Sequence, residues 1–430
     1  MRGRVAKYRD RIIRGPILRT LFSLSLPLII VQLIQVSYNV ADAFWLSLYS
    51  DVALAVPRQT WPLFLFFSAF SLTLSFSNQA LISQYVGAKR VDEAEKVASK
   101  FFTVSVLFGV LFGLLYFSLR YAIFTDVISV PEEIRRDVID FAGVVSIVMM
   151  FSYVVMAYST VLQSVGDTLR PAIVNAAFLL FNRVLAPLFI FGVGPFPELG
   201  VVGAAVTDLI GNALTVITLA IIVRRALPEI KIRFTRYIGA DWVLLNLKIG
   251  LPILVLILSN STAKMLQLRL INTFGVVAAT AYSFGFIAID VSDAILRGLA
   301  RGTSIMIGQN LGAGLHDRAR RIALKSSMTA FTSTLLGASL VYALMDPFIG
   351  VFIQSQEIFV EAKRLLEIIL LSLPFFAVLL VALFVGRGSG HTLPPTLIGM
   401  TRLWVFWVGL GYLLGVHLGV GSTGVWMAMA

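Results

Sequence analysis

Long apolar stretches recur along this chain from Leu21 to its end, and this feature constrains the fold most strongly. Stretches of more than about 18 residues can cross a bilayer as helices, a length that the core of a soluble domain does not require. Only 13% of the residues are charged, whereas soluble domains carry about 25%. The sequence therefore predicts an all-α polytopic membrane protein.

We place twelve transmembrane helices on these stretches. The last has only about ten residues before the chain ends at Ala430, whereas a span needs about 20, so we expect it to be truncated. The predicted ranges are 19–47, 53–84, 97–122, 134–164, 168–192, 199–223, 240–271, 277–310, 319–345, 357–386, 393–417 and 421–430.

Basic residues alternate between the two sides of these predicted helices. The connections on one side, beginning with residues 1–19, hold 23 of the 35 Lys and Arg residues, and those on the other side hold four. The positive-inside rule places the N-terminus in the cytoplasm of a multi-pass plasma-membrane protein. The net charge of +12 is then an orientation signal with some attraction to anionic lipids, and nucleic acid is not an expected partner.

The two halves of the chain resemble each other. QYVGAKRVDEAEKVASK (84–100) aligns with QNLGAGLHDRARRIALK (309–325), with seven identities in seventeen positions at an offset of 225. Three further pairs align at offsets of 225, 224 and 221: Leu26-Pro27 with Leu251-Pro252, GDTLRP (166–171) with GHTLPP (390–395), and GVVGAAVTD (200–208) with the chain end from Gly421.

This repeat predicts two pseudo-symmetric six-helix bundles. Because six is an even number, both halves keep the same orientation in the membrane, and a cavity is expected between them. The predicted domains are an N-lobe of helices 1–6 at 1–225, a cytoplasmic linker at 226–239 and a C-lobe of helices 7–12 at 240–430.

Several motifs resemble those of the multidrug and toxic compound extrusion (MATE) family. They are the duplicated six-helix plan, QYVGA after helix 2, LQSVGDTLRP after helix 4, GQNLGAG after helix 8, YNVADAFWLS in helix 1 and GVVGAAVTD in helix 6. The chain is similar to the archaeal and bacterial damage-inducible branch. The resemblance implies an antiporter that exports organic, usually cationic or amphipathic, compounds in exchange for H⁺ or Na⁺ by alternating access.

The same resemblance implies no cofactor beyond the coupling ion, and small organic substrates and membrane lipids as partners of a monomer. The residues argue against an enzyme as well, because the chain has no cysteine and no hydrolase, metalloprotease or phosphate-loop motif. His316, His391 and His417 fall at predicted loops or helix ends and form no cluster. No metal site is predicted other than Na⁺ at the coupling site.

A polar face on helix 1 is the first candidate for ion coupling. Gln35, Tyr38, Asn39 and Asp42 follow each other at i, i+3, i+4 and i+7, so they share one side of the helix. A carboxylate at this depth is costly unless it faces a cavity or has partners. The resemblance implies that Asp42 is the coupling carboxylate, which either takes up a proton or binds Na⁺. A structural hydrogen-bonded stripe is the alternative.

Helices 5 and 6 depart from the family's pattern. The family has Asn, three residues and then Asp-Pro in helix 5, whereas this chain has Asn182, Ala186 and Pro187. In helix 6 an acid, Asp208, stands where the family typically has Thr. A carboxylate has thus moved to the neighbouring helix. The predicted cation site comprises Asp42, Asn182 and Asp208, with Tyr38, Asn39 and Thr207 nearby.

An arginine inside an apolar stretch needs a partner. Arg183 lies about 100° around helix 5 from Asn182. It can pair with Asp208 or Asp42 and act as a counter-cation that protonation releases. The alternatives are a structural ion pair and a side chain that snorkels to the interface.

The C-lobe carries an excess of positive charge. Asp290, Asp293, Arg297 and Arg301 share a face of helix 8, where Asp293 and Arg297 can pair. The predicted substrate cavity contains Gln35, Arg183, Lys264, Asp293, Arg297 and Arg301. With Arg402 on helix 11, four C-lobe cations face two acids. A cavity for lipophilic cations should be acidic or aromatic, so an exporter or flippase of anionic or lipid-linked cargo is the alternative.

Two prolines occupy matching positions in the repeat. Pro27 in helix 1 and Pro252 in helix 7 each remove a backbone hydrogen bond and favour a kink. The family resemblance implies that helix 1 bends at Pro27 as Asp42 takes up a proton. A kink that serves packing alone is the alternative.

Overall fold

The computed structural model describes residues 3–50, 53 and 55–430, except for the side chains of residues 36–44, 47 and 286–288. Regular structure in the described residues is helical, and no strand occurs among them. The helices are α1 Arg4–Arg14, α2 Ile17–Tyr49, α3 Ala55–Gly87, α4 Val91–Ala122, α5 Glu132–Val165, α6 Leu169–Phe191, α7 Val201–Ala226, α8 Ala240–Asn272, α9 Val276–Gly312, α10 His316–Ala343, α11 Met345–Phe352, α12 Gln356–Ser389, α13 Leu393–Thr401 and α14 Ser422–Met429.

Three π-helical segments extend two of these elements. Ile123–Val127 follows α4, and Arg402–Leu410 and Leu413–His417 follow α13. With these extensions, ten helices in the described part of the chain are long and apolar enough to cross a membrane. The prediction of an all-α polytopic membrane protein is confirmed.

The predicted ninth span is bent. Helices α10 and α11 meet at an angle of 66°, and only together are they long and apolar enough to cross a membrane. This pair brings the total to 11 within the described residues. Pro347 follows this break by three residues. Proline has no N–H to donate and it clashes with the preceding turn, so α10 cannot continue straight through it. The predicted twelfth span corresponds to the eight-residue helix α14.

The basic segment at 1–19, which we predicted only as a connection, contains a helix of its own. In α1, Val5, Arg9, Ile12 and Ile13 fall on one face and are buried. This spacing is that of an amphipathic helix, so α1 packs on the ends of the longer helices. We call this end of the molecule, which also carries segments 84–100 and 309–325, the basic end.

Helix α1 bridges the two halves of the chain at the basic end. Arg9 Nε donates to the Gly87 carbonyl at the end of α3, 2.8 Å away. From α10 in the second half, the Arg318 guanidinium donates to the carbonyls of Ile12 and Gly15. Helix ends leave carbonyls without intrahelical partners, and these arginines satisfy several of them.

Glycines bring the halves into backbone contact along α2 and α9. A Cβ atom on Gly298 would lie 2.8 Å from the Ile29 backbone nitrogen, and one on Gly302 would collide with the Ser25 hydroxyl. Only glycine permits this approach, since any side chain would push the two helices apart.

A second contact between the halves lies at the basic end, and it follows the repeat. We call it the glutamine seam. Gln84 Nε2 on α3 donates to the Gly388 carbonyl on α12 at 3.2 Å. Gln309 Nε2 on α9 donates to the Ser164 carbonyl on α5 at 2.8 Å. The donors are related by the offset of 225, and the acceptors by 224.

The glycines of the same motifs complete the seam. A Cβ on Gly87 would collide with the Gln309 carbonyl, and a Cβ on Gly312 would collide with the Gln84 carbonyl. The two contacts are reciprocal, as a pseudo-two-fold axis between the halves requires. The Gln-x-x-Gly pattern of QYVG and QNLG thus has a physical reason, because it places a donor and a gap on one helix face.

Candidate functional site

Asn182 and Asp208, both predicted for the cation site, lie together. Asn182 Nδ2 on α6 donates to Asp208 Oδ1 on α7 at 3.0 Å. Asn182 is only 5% exposed, and Asp208 is half-buried. This contact places an ionisable group between two transmembrane helices, so it is a strong candidate for a functional site.

The Asn182 amide has an unused acceptor. Its Oδ1 is buried and has no hydrogen-bond partner among the described residues. The Asp208 carboxylate and the Asn182 amide therefore place oxygen atoms on two adjacent side chains. Oxygen donors of this type suit hard cations.

Gly211 makes the contact possible. It lies three residues after Asp208, on the same face of α7. A Cβ at this position would come within 2.8 Å of Asn182 Nδ2 and closer still to Oδ1. The absence of a side chain at position 211 therefore decides where the amide of Asn182 can lie.

Gly211→Ala should displace the Asn182 amide from Asp208. We expect a loss of about 1–3 kcal/mol of stability from overpacking and weaker ion coupling, because the site geometry changes. Thermal unfolding in detergent and gradient-driven transport measure the two effects. Gly337→Ala is the matched control, since a Cβ there meets nothing within 4 Å. Equal behaviour of the two variants would show that Gly211 does not set the position of the amide.

The structure gives less information about the other residues predicted near this site. Thr207 is 1% exposed, and its hydroxyl donates to the Ala204 carbonyl of its own helix at 2.8 Å. Arg183 is half-buried and engaged in an interaction. The side chains of Tyr38, Asn39 and Asp42 lie outside the described residues.

The predicted substrate-cavity residues of the second half form a row along α9. Arg297 Nε pairs with Asp293 Oδ2 one turn earlier, as predicted. Asp290 lies within electrostatic range of Lys264 on α8. One turn beyond Arg297, the Arg301 guanidinium lies 5.4 Å from the centre of the Phe76 ring on α3.

Arg387 was not predicted for any site. The glycine-rich sequence GRGSGHT around it is typical of a loop, and the predicted helix ended at residue 386. In the structure α12 extends to Ser389, and Arg387 is only 9% exposed. Its guanidinium lies 4.2 Å from the ring centres of both Phe76 and Phe384. The sequence feature that could have indicated this contact is Phe384, which lies one turn before the arginine.

The remaining predicted positions lie on α2, on α8 and on the π-helical segment that follows α13. Gln35 is half-buried on α2. Arg402 lies 4.5 Å from the ring centre of Phe376 and 4.4 Å from that of Trp407. Pro27 and Pro252 lie inside α2 and α8, each of which has 33 residues. The roles of these residues in transport remain predictions.

This combination of a duplicated helical membrane fold, bundles packed through glycines and an intramembrane carboxylate defines a membrane transporter. The MatE family model matches the chain twice, at residues 27–188 and 252–413. The protein belongs to this family, the multidrug and toxic compound extrusion transporters, and is not an enzyme. Both ends of the second match lie 225 residues beyond those of the first, which is the offset of the repeat found in the sequence.

Relatives agree with this assignment, and solved structures share the fold. The chain is 26% identical over 385 residues to a probable multidrug resistance protein, YoeA of Bacillus subtilis, with 87% of this chain and 82% of YoeA covered. A crystal structure of a mutant of the Vibrio cholerae MATE transporter VcmN has a TM-score of 0.89 at 19% identity, covering 98% and 94% of the two chains. A Pyrococcus furiosus transporter of the MOP superfamily has a TM-score of 0.85 at 22% identity, covering 97% and 93%. These structural matches confirm the predicted twelve-helix fold.

Proposed function

We propose that this protein is a secondary active exporter of small organic compounds, cationic or amphipathic, driven by the inward flow of H⁺ or Na⁺. The observation that carries the proposal is the Asp208 carboxylate, held by Asn182 between two membrane helices. An ionisable group inside a bilayer costs at least about 2.5 kcal/mol, so its presence indicates a role in ion or substrate movement.

In this proposal the coupling ion uses the N-lobe. Asp208 takes up a proton, or Asp208 and the Asn182 amide oxygen bind Na⁺, and Asp42 with Tyr38 and Asn39 supplies the rest of the site. The substrate would occupy the cavity between the lobes at 1–225 and 240–430, with 226–239 as their linker. The basic end faces the cytoplasm of a plasma-membrane monomer surrounded by lipids. No cofactor other than the ion is needed.

The glutamine seam supports alternating access. It holds the two halves together at the basic end through reciprocal contacts of Gln84 and Gln309. A transporter needs such a closure that forms in one state and breaks in the other. Export would begin when these contacts separate and open the cavity to the cytoplasm.

Transport in proteoliposomes tests the function. Uptake of a fluorescent lipophilic cation is measured under an imposed H⁺ gradient, an imposed Na⁺ gradient or neither. Uptake that follows one gradient identifies the ion. Uptake that is equal in all three conditions, and equal to that of protein-free liposomes, would refute cation export.

Anionic or lipid-linked cargo is the second candidate, because the cations of the second half outnumber its acids. Lys264 and Arg297 lie near Asp290, and Arg301 lies near Arg297. The P. furiosus protein, which shares the fold, is described as having a binding pocket of reverse polarity that suggests a different function. The fold alone therefore does not fix the charge of the cargo. The same assay with a fluorescent anion distinguishes the two candidates.

A further inference from the structure

Two arginines share one aromatic ring in the interior of the molecule. Arg387 on α12 and Arg301 on α9 both lie over Phe76 of α3, at 4.2 and 5.4 Å from its centre. Arg387 is more than nine-tenths buried, and Arg301 Nε is buried without a hydrogen-bond partner in the described part of the chain. The three helices come from both halves, so this cluster lies where the halves meet.

The acids nearby are already paired. Asp293 bonds to Arg297, and Asp290 is attracted to Lys264. Within the described residues, no carboxylate bonds to Arg301 or Arg387.

The aromatic contacts do not offset the charge. Cation–π attraction is weak beside the cost of burying a guanidinium without a counter-charge. The two arginines also repel each other, and Arg297 adds to the field at Arg387. Because buried charges in proteins are paired or neutralised, the cluster has the properties of a site that an anion completes.

We propose that Arg301, Arg387 and Phe76 form a binding site for the anionic group of an amphipathic ligand, a carboxylate, sulfonate or phosphate attached to an apolar or aromatic body. Each guanidinium offers a planar fork of N–H donors that matches the oxygens of such a group. Phe76 and Phe384, whose rings meet edge to face at 5.6 Å, supply the apolar wall. As a cargo site this inference rests on the second candidate function, export of anionic cargo, but binding itself needs no gradient.

Equilibrium binding to the purified full-length protein in an uncharged maltoside detergent tests the site. The probe is naphthalene-1-sulfonate, which stays anionic at any working pH, with naphthalene-1-sulfonamide and naphthylmethylammonium as its neutral and cationic analogues. We expect the anion to bind best. Arg387→Gln or Arg301→Gln should weaken it roughly tenfold to a hundredfold, since each removes a charge-assisted contact.

Control variants separate this result from misfolding and from failure of the export proposal. Arg90→Gln removes an exposed arginine that also lies over an aromatic ring, Tyr85, and should leave binding unchanged. Asp140→Asn, which changes an exposed acid outside both proposed sites, should also bind the anion normally. Because no gradient is applied, failure of the export proposal does not alter the outcome of this measurement. Arg387→Lys keeps the charge and should retain part of the affinity, which excludes loss through misfolding.

The source of the anion is identified in lipid nanodiscs. If a lipid headgroup occupies the site, phosphatidylglycerol discs will bind the sulfonate more weakly than phosphatidylcholine discs, and Arg387→Gln will abolish this difference. If the ligand is a soluble organic anion, both discs will bind equally. Folded Arg301→Gln and Arg387→Gln variants that bind the sulfonate like wild type, or a cationic analogue that binds as tightly as the anion, would overturn the proposal.

Discussion

Asp208→Asn is expected to abolish gradient-driven transport while leaving the protein folded. Asparagine keeps the size of the side chain and can still accept the hydrogen bond from Asn182, so the contact between α6 and α7 persists. It cannot change its charge or compensate a bound cation. If the ion binds the inward-open and outward-open states equally well, it cannot shift their populations. Uptake should therefore fall by about tenfold or more, to the level without a gradient.

The matched control is Asp140→Asn. Asp140 is also on a long helix, but it is exposed and makes only a distant pair with Arg136, 3.8 Å apart. This variant should transport normally. Normal coupling in Asp208→Asn would instead show that Asp208 is a structural acid and would leave Asp42 as the only intramembrane carboxylate that we predicted for the N-lobe site.

The second large effect is expected at the glutamine seam. Combining Gly87→Val with Gly312→Val places two branched side chains where a single Cβ already collides with a backbone carbonyl of the opposite half. Each clash costs about 1–3 kcal/mol in the closed arrangement and little once the halves separate. The population should therefore move toward the state that is open at the basic end, and transport should slow by about tenfold or more.

Cysteine accessibility can follow this shift directly, because the chain has no cysteine of its own. Asn310 is fully buried beside the seam, so Asn310→Cys should resist a membrane-impermeant maleimide. In the Gly87→Val, Gly312→Val background it should react from the cytoplasmic side. The control is Gly337→Val, where the added side chain begins in open space. Equal protection of Asn310→Cys in all backgrounds would rule out opening at the seam.

The sequence was most informative where one pattern repeats. Apolar length predicted the spans, and most of their bounds lie within a few residues of the helices α2 to α13. The alignment of QYVGA with QNLGA predicted the duplication, but the sequence did not show which contacts these two motifs make. The contacts of Gln84 and Gln309 join residues that are 304 and 145 positions apart in the chain, and only the fold brings them together.

Departures from a pattern indicated the candidate site better than residue type did. Ala186 in place of an acid directed attention to Asp208, and the structure joins that acid to Asn182. Arg387 escaped prediction because its glycine-rich surroundings predict a loop, whereas close packing of α12 on α9 explains Gly388. A Cβ on Gly388 would come within 3.0 Å of the Ser304 backbone. Helix α1 was missed because basic charge dominated the interpretation of its sequence.

The acceptors in the glutamine seam are main-chain atoms. Gln84 and Gln309 donate to the carbonyls of Gly388 and Ser164, two residues whose side chains have nothing in common. Any amino acid supplies that carbonyl, so substitutions at the acceptor positions are silent for this contact as long as they fit. After gene duplication, the two copies could therefore diverge on the acceptor side while the donor side held the pseudo-symmetric closure in register.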